Sequence, residues 1–229
     1  MVPNIWKLRR ARRAALLKIH GDEAQQFSLL WDYGQEQRTQ NPDSTFFLST
    51  NKSNENGVVK EHLATLYWSY DASKRGFLEG CRPVICIDGC HVKTRYKGQL
   101  LTVVGIDPND CIFPIAMGVT EVECTSSWEW FITTLRDDLN ITNTSTFTIM
   151  SDMQKRLIKA VQKVFPHAEH RHCVRHLYQN FHKKHKGETL KNDLWAIARS
   201  CNLPTWEKNM AKLEADSKEI GRASCRERV

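Results

Sequence analysis

Pro83-Val84-Ile85-Cys86-Ile87-Asp88-Gly89 decides the fold: an unbroken apolar run that ends in an acid and a glycine. A run this short, apolar at successive positions, reads as a strand buried on both faces of a sheet. Downstream, Leu100–Ile106 reads as a second strand, and Asp107-Pro108-Asn109-Asp110 as a tight turn into a third, Cys111–Val119. Thr125–Leu139 carries Trp128, Phe131, Ile132 and Leu135 on one helical face, with Thr125 or Ser126 as N-cap. Thr146–Met150 is another apolar strand, ending at Ser151-Asp152; Gln154–Phe165 follows as a helix stopped at Pro166. Ala168–Arg171 reads as a short strand and His172–Lys186 as a basic helix. The order β-β-β-α-β-α-β-α predicts an α/β fold, a three-strand meander followed by alternating elements that require parallel pairing.

Upstream, Ile5, Leu8, Ala11, Ala15, Ile19, Phe27, Leu30 and Tyr33 recur at helical spacing. Gly21-Asp22 breaks that run, and Asp22 can cap a second helix. Asn41-Pro42-Asp43-Ser44 is a turn signal, Thr45–Thr50 a short strand and Asn51–Gly57 a polar loop, while Glu61–Tyr70 fits a helix or a strand. The expected division is a helical lead-in over 1–75, a core over 76–186, a helical segment over 187–219 and a separate tail over 220–229. No internal repeat is visible.

A chain of 229 residues, 41% hydrophobic and 26% charged, can bury a real core, which excludes a disordered tail or a disulfide-stapled miniprotein. No apolar stretch approaches the roughly 18 residues that span a bilayer. Arg9, Arg10, Arg12 and Arg13 interrupt any signal-peptide core, so the eight cysteines read as thiols or metal ligands. The net charge of +7 is clustered: Lys7 to Lys18 without an acid, then Arg171 to Lys191, a pattern that favours a polyanionic partner or a solvated helix face. The first cluster also suits a nuclear-import patch. Ile220–Val229 resembles the translation of a common sequencing-adapter sequence and is set aside; without its three arginines and one glutamate the charge falls from +7 to +5.

Asp88 and Asp152 each follow a buried strand, the position where open α/β sheets gather chemistry. Two adjacent carboxylates repel unless a cation neutralises them, and Mg²⁺ or Mn²⁺ takes such oxygen ligands for phosphoryl transfer. The alternative is that each acid ends a strand or caps the next helix, for which Asp152 is well placed.

Cys81-Arg82-Pro83-Val84-Ile85-Cys86-Ile87-Asp88-Gly89-Cys90, with Tyr96-Lys97-Gly98-Gln99-Leu100-Leu101, resembles the core of plant Mutator-like element (MULE) transposases. Ser127-Trp128-Glu129-Trp130-Phe131, Ser151-Asp152-Met153-Gln154-Lys155 and His170-Arg171-His172-Cys173-Val174-Arg175-His176-Leu177 match that family in order and spacing. The resemblance runs from about Ile5 to about Leu213. It implies an RNase H-like fold and Mg²⁺- or Mn²⁺-dependent DNA cleavage and strand transfer by an Asp-Asp-Glu triad, with Asp88 and Asp152 as the first two metal-binding carboxylates. It also implies DNA partners (element ends and target), a possible homo-oligomer, a nuclear location, and neither membrane nor small-molecule substrate.

Three departures qualify that expectation. The family's catalytic Glu lies beyond a helical insertion after the Cys-x-x-His helix, and Glu207, Glu214 and Glu219 come too early to replace it. A truncated, inactive transposase fragment is therefore expected, the alternative being a non-catalytic, transposase-derived DNA-binding regulator. The zinc-finger-type domain and zinc knuckle that flank the family's core are not seen, and Arg156 stands where the family usually has Gly.

Six of the nine histidines fall between His167 and His185. Cys173 and His176, three apart on the expected helix, can share a face, and His170 and His172 lie close by. These four do not match a standard finger spacing, so zinc at Cys173/His176 is not expected; the alternative is that Cys173 packs in the core while His176 donates to a neighbour or to DNA. The resemblance marks Cys173 and His176 as the family's Cys-x-x-His motif. Arg171, Arg175, Lys183, Lys184 and Lys186 are the first candidates for phosphate contacts. Trp128 is expected in the core and Trp130 at its margin, where base stacking competes with simple packing. Glu121 and Glu123 read as loop acids, and Asp107 and Asp110 as turn residues.

Overall fold

The computed structural model describes residues 4–21, 23–55, 57–93 and 97–216. Asp22, Tyr96 and the 220–229 tail therefore lie outside the described residues. Three helices lead, α1 (Ile5–His20), α2 (Glu23–Ser28) and α3 (Leu30–Gln40), followed by strands β1 (Thr45–Glu55) and β2 (Val58–Ser69) and helix α4 (Asp71–Gly80). The meander is β3 (Val84–His91), β4 (Gln99–Ile106) and β5 (Ile112–Thr120). Alternation follows: α5 (Thr125–Asp138), β6 (Thr148–Ser151), α6 (Lys155–Val164), β7 (Glu169–His172) and α7 (Val174–Lys184). Helices α8 (Glu188–Ala198) and α9 (Leu203–Asp216) pack on each other beyond it.

Among the described residues one sheet runs in the order β1-β2-β5-β4-β3-β6-β7. β3–β6 and β6–β7 are parallel and the other pairs antiparallel. The five strands β5-β4-β3-β6-β7 thus form the expected RNase H-like meander with two parallel β-α additions.

Alternation along the strands assigns the faces. Ile85 and Ile87, Leu101 and Val103, and Ile149 are buried, while Cys86, Thr102, Val104 and Met150 between them are partly exposed and Asp88 is exposed. The buried face packs against Phe77 of α4, the Trp128, Phe131, Ile132 and Leu135 stripe of α5, and Leu157, Ala160, Val161 and Val164 of α6. Gly118 of β5 permits this closeness, because a Cβ there would stand 2.8 Å from the Phe131 ring and 3.1 Å from the Leu66 carbonyl oxygen.

Four readings of the sequence are corrected. Asn51–Gly57 is not a loop as far as Glu55, because β1 continues that far against β2. Polar cross-strand partners sustain it, Lys52–Glu61 at 3.2 Å and Ser53 Oγ to His62 Nε2 at 2.6 Å. Glu61–Tyr70, left open, is strand through Ser69, so residues 45–69 belong to the sheet rather than to a helical lead-in. Helix α4 was not foreseen; it seats Phe77 against Gly105, where an added Cβ would lie 2.7 Å from the ring. The N-cap of α5 is Cys124, whose backbone N–H donates to Ser127 Oγ at 2.9 Å.

Candidate active site

Strand register brings the two aspartates to the ends of neighbouring strands. Val84 pairs with Thr148, Ile85 with Ile149 and Cys86 with Met150 on parallel strands. Carried two residues further, that offset sets Asp88 level with Asp152 at the carboxyl ends of neighbouring strands. Ser151 pairs with His172 in turn, so the next step sets Asp152 level with Cys173. Asp88 shares a strand face with Cys86, away from α4, α5 and α6.

Each carboxylate is oriented by the backbone just after it. The Gly89 N–H donates to Asp88 Oδ1 at 2.8 Å, and the Gln154 N–H donates to Asp152 Oδ1 at 3.0 Å. Asp152 thus makes the local contact expected of a capping acid, although the helix N-cap is Gln154 itself. These bonds engage one oxygen of each group, and a carboxylate has lone pairs to spare for a further ligand.

The surroundings are electropositive by construction. β3, β5, β6 and β7 all run the same way, so α5, α6 and α7 each begin at the sheet edge that carries the aspartates. Helix N-termini carry partial positive charge, and none of these three has an acid in its first turn. Lys155 and Arg156 open α6 and Arg175 opens α7, all exposed. Arg156 donates to the Glu123 carbonyl at 2.6 Å, linking α6 to the loop before α5. Lys155 and Arg156 were not among the foreseen phosphate contacts; their place in a first turn beside Asp152 was the available signal.

The other foreseen residues are less closely gathered. Arg171, on β7, is ion-paired to Glu169. Lys183 and Lys184 lie at the far end of α7, about 12–14 Å along the axis from Arg175. Lys183 donates to Asn180 at 3.2 Å and Lys186 follows the helix, exposed. The five basic candidates therefore form a rim residue, an internally paired residue and a distal patch. Glu121 is exposed and accepts from Asn51 at 3.5 Å, and Trp130 packs partly buried on the core beside Phe131.

Cys173 is the N-cap of α7, its N–H donating to the Ser151 carbonyl at 2.7 Å, so it precedes the helix on which His176 sits. The Nδ1 atoms of His172 and His176 are buried without a hydrogen-bond partner. Among the described residues no three His, Cys, Asp or Glu side chains gather to hold a metal ion. Burial, and then the neighbouring Cys173, push the Cys86 thiol pKa up, whereas the Ser126 and Ser127 hydroxyls bring Cys124 down to about 7.

His170 accepts or donates at 2.8 Å to Ser151 Oγ, and burial followed by the adjacent His172 lowers its pKa from the ordinary 6.5. Below pH 6.5 the unfolded chain takes up a proton that the folded chain refuses, so this contribution to stability is present above that pH and lost as pH falls. Urea unfolding on both sides of that pH is expected to show a smaller acid loss in His170→Gln than in the wild type.

A five-strand meander-plus-parallel sheet with an aspartate at the end of each of two neighbouring parallel strands has the RNase H-like arrangement. Residues 84–180 match the family model of the MULE transposase domain, from the first residue of β3 into α7. A comparison with curated proteins gives no match.

Proposed function

We propose that this domain is the catalytic core of a DNA transposase, with Asp88 and Asp152 as two carboxylates of a divalent-metal site for phosphodiester cleavage and strand transfer. The observation that carries it is the register that sets Asp88 level with Asp152. The donor set fits Mg²⁺ or Mn²⁺: two carboxylates at neighbouring strand ends, Asp88 exposed and Asp152 partly so, offering oxygen ligands alone. When bound, such an ion supplies charge neutralisation at the phosphate and a more acidic nucleophile. The chain's own residues do the rest. Asp88 and Asp152 bind, the Gly89 and Gln154 amides orient them, and Lys155, Arg156 and Arg175 offer positive charge to the flanking phosphates. With two carboxylates supplied by the described residues, cleavage requires a further one, and the described segment alone is proposed to be inactive.

Fe²⁺ with peroxide and ascorbate cleaves a polypeptide beside the bound ion. Cuts are expected near residues 88 and 152, lost in Asp88→Asn and Asp152→Asn. The absence of cuts at both places, with salt-sensitive DNA affinity indifferent to both substitutions, would instead establish a non-catalytic DNA-binding protein.

A further inference from the structure

The two carboxylate-bearing segments are joined beneath the sheet by one side chain. Gly89, the residue after Asp88, faces the helices, and a Cβ on it would lie 3.0 and 3.1 Å from Cζ2 and Cη2 of Trp128. Trp128 is fully buried, and its indole N–H donates to Gln154 Oε1 at 3.1 Å. Gln154 is therefore held at both ends: its side chain by Trp128, its backbone N–H by Asp152 Oδ1. Gly89 is held likewise, its N–H on Asp88 Oδ1 and its Cα face against the indole.

We infer that Trp128 and Gln154 are a positioning pair that fixes the spacing between Asp88 and Asp152. This rests on the metal-site reading above. The two amides that orient the carboxylates belong to the two residues that Trp128 touches, one by packing and one by hydrogen bond. A buried indole N–H needs a partner, and here it takes one on the strand-end loop of the second aspartate. Register brings the two strands level; the Trp128 bridge spans the place where pairing has stopped, because β6 ends at Ser151. The absent side chain at Gly89 is what allows the ring to lie this close to the first strand.

The test uses the full chain with Trp128→Phe, which deletes the donor and withdraws the ring atoms that meet Gly89, Gln154→Ala, which deletes the acceptor, and the double variant. Two quantities are read: Mn²⁺ affinity by electron paramagnetic resonance, and hydrogen exchange of the Gly89 and Gln154 amides in metal-free protein by NMR. Loss of an outer support of this kind is expected to weaken Mn²⁺ binding about tenfold in each single variant and no further in the double. The Gln154 amide exchanges faster in both singles, the Gly89 amide in Trp128→Phe, and other core amides are unchanged. Unchanged exchange at both amides, or losses that multiply in the double variant, would show that Trp128 only fills the core. If the wild type binds no Mn²⁺ while the amides still respond, the pair positions these loops and the metal reading fails alone.

Discussion

Asp138→Ala is expected to lower the unfolding free energy by about 3 kcal/mol, as befits removal of one partner from a buried ion pair. Asp138 ends α5 with its side chain 9% exposed, and it receives Lys74 Nζ at 2.9 Å, Tyr67 Oη at 2.9 Å and Thr45 Oγ1 at 2.5 Å. One carboxylate thereby ties β1, β2 and α4 to the helix that lines the core. Alanine leaves the Lys74 ammonium, 12% exposed, without its counter-charge, although the Asp43 carbonyl and the Thr45 hydroxyl remain as acceptors. Those two acceptors keep the loss at the lower end of the range. Urea unfolding measures it, and a loss below about 1 kcal/mol would mean that the pair behaves as a surface salt bridge. Lys74→Met combined with Asp138→Leu and Tyr67→Phe should recover much of the loss, since a buried pair is replaceable by apolar groups of similar volume once the Tyr67 hydroxyl that bonds Asp138 is also removed.

The same cluster has an alkaline signature. Burial first, and the Asp138 charge second, raise the Tyr67 pKa above the ordinary 10. Above pH 10 the unfolded chain releases a proton that the folded chain keeps, so this contribution is full below that pH and lost above it. The slope is about 1.4 kcal/mol per pH unit. Tyr67→Phe should remove that component of the alkaline loss.

Asp88→Asn and Asp152→Asn are each expected to weaken Mn²⁺ binding roughly 100-fold. At a separation of about 3–4 Å a divalent ion and a carboxylate charge attract by about 2–3 kcal/mol even at the dielectric of water, and each 1.4 kcal/mol is tenfold. Asparagine keeps the shape and one oxygen, so the comparison isolates charge. Similar losses in the two variants, with the double variant no longer saturable, place both carboxylates on one ion. An unchanged affinity in either variant removes that residue from the site.

The order of elements from β3 to α7 was readable in the sequence because each buried face leaves a periodic mark, as in Ile85/Ile87 and the Trp128–Leu135 stripe. Both aspartates could be placed at strand ends, and the family resemblance paired them. Their levelness follows from Ile85 lying opposite Ile149, and a choice of register leaves no periodicity behind. The outer part of the β1–β2 hairpin was misread because residues such as Asn51, Lys52, Asn54, Lys60 and Glu61 are exposed, so no apolar alternation marks it. The basic cluster marks Arg171 as a phosphate contact, whereas Glu169, two residues away on the same strand face, pairs with it. The indole bridge joins residues far apart in the chain, and the composition of neither segment foretells it.

During synthesis, Asp88 leaves the ribosome with its meander well before Asp152 is made, since the β3–β6 offset is the step from Val84 to Thr148. Closing so long a loop costs entropy that local contacts do not return, so the central parallel pair forms late. A nascent or partly opened chain therefore holds two isolated acids, which become neighbours only once β6 has paired with β3.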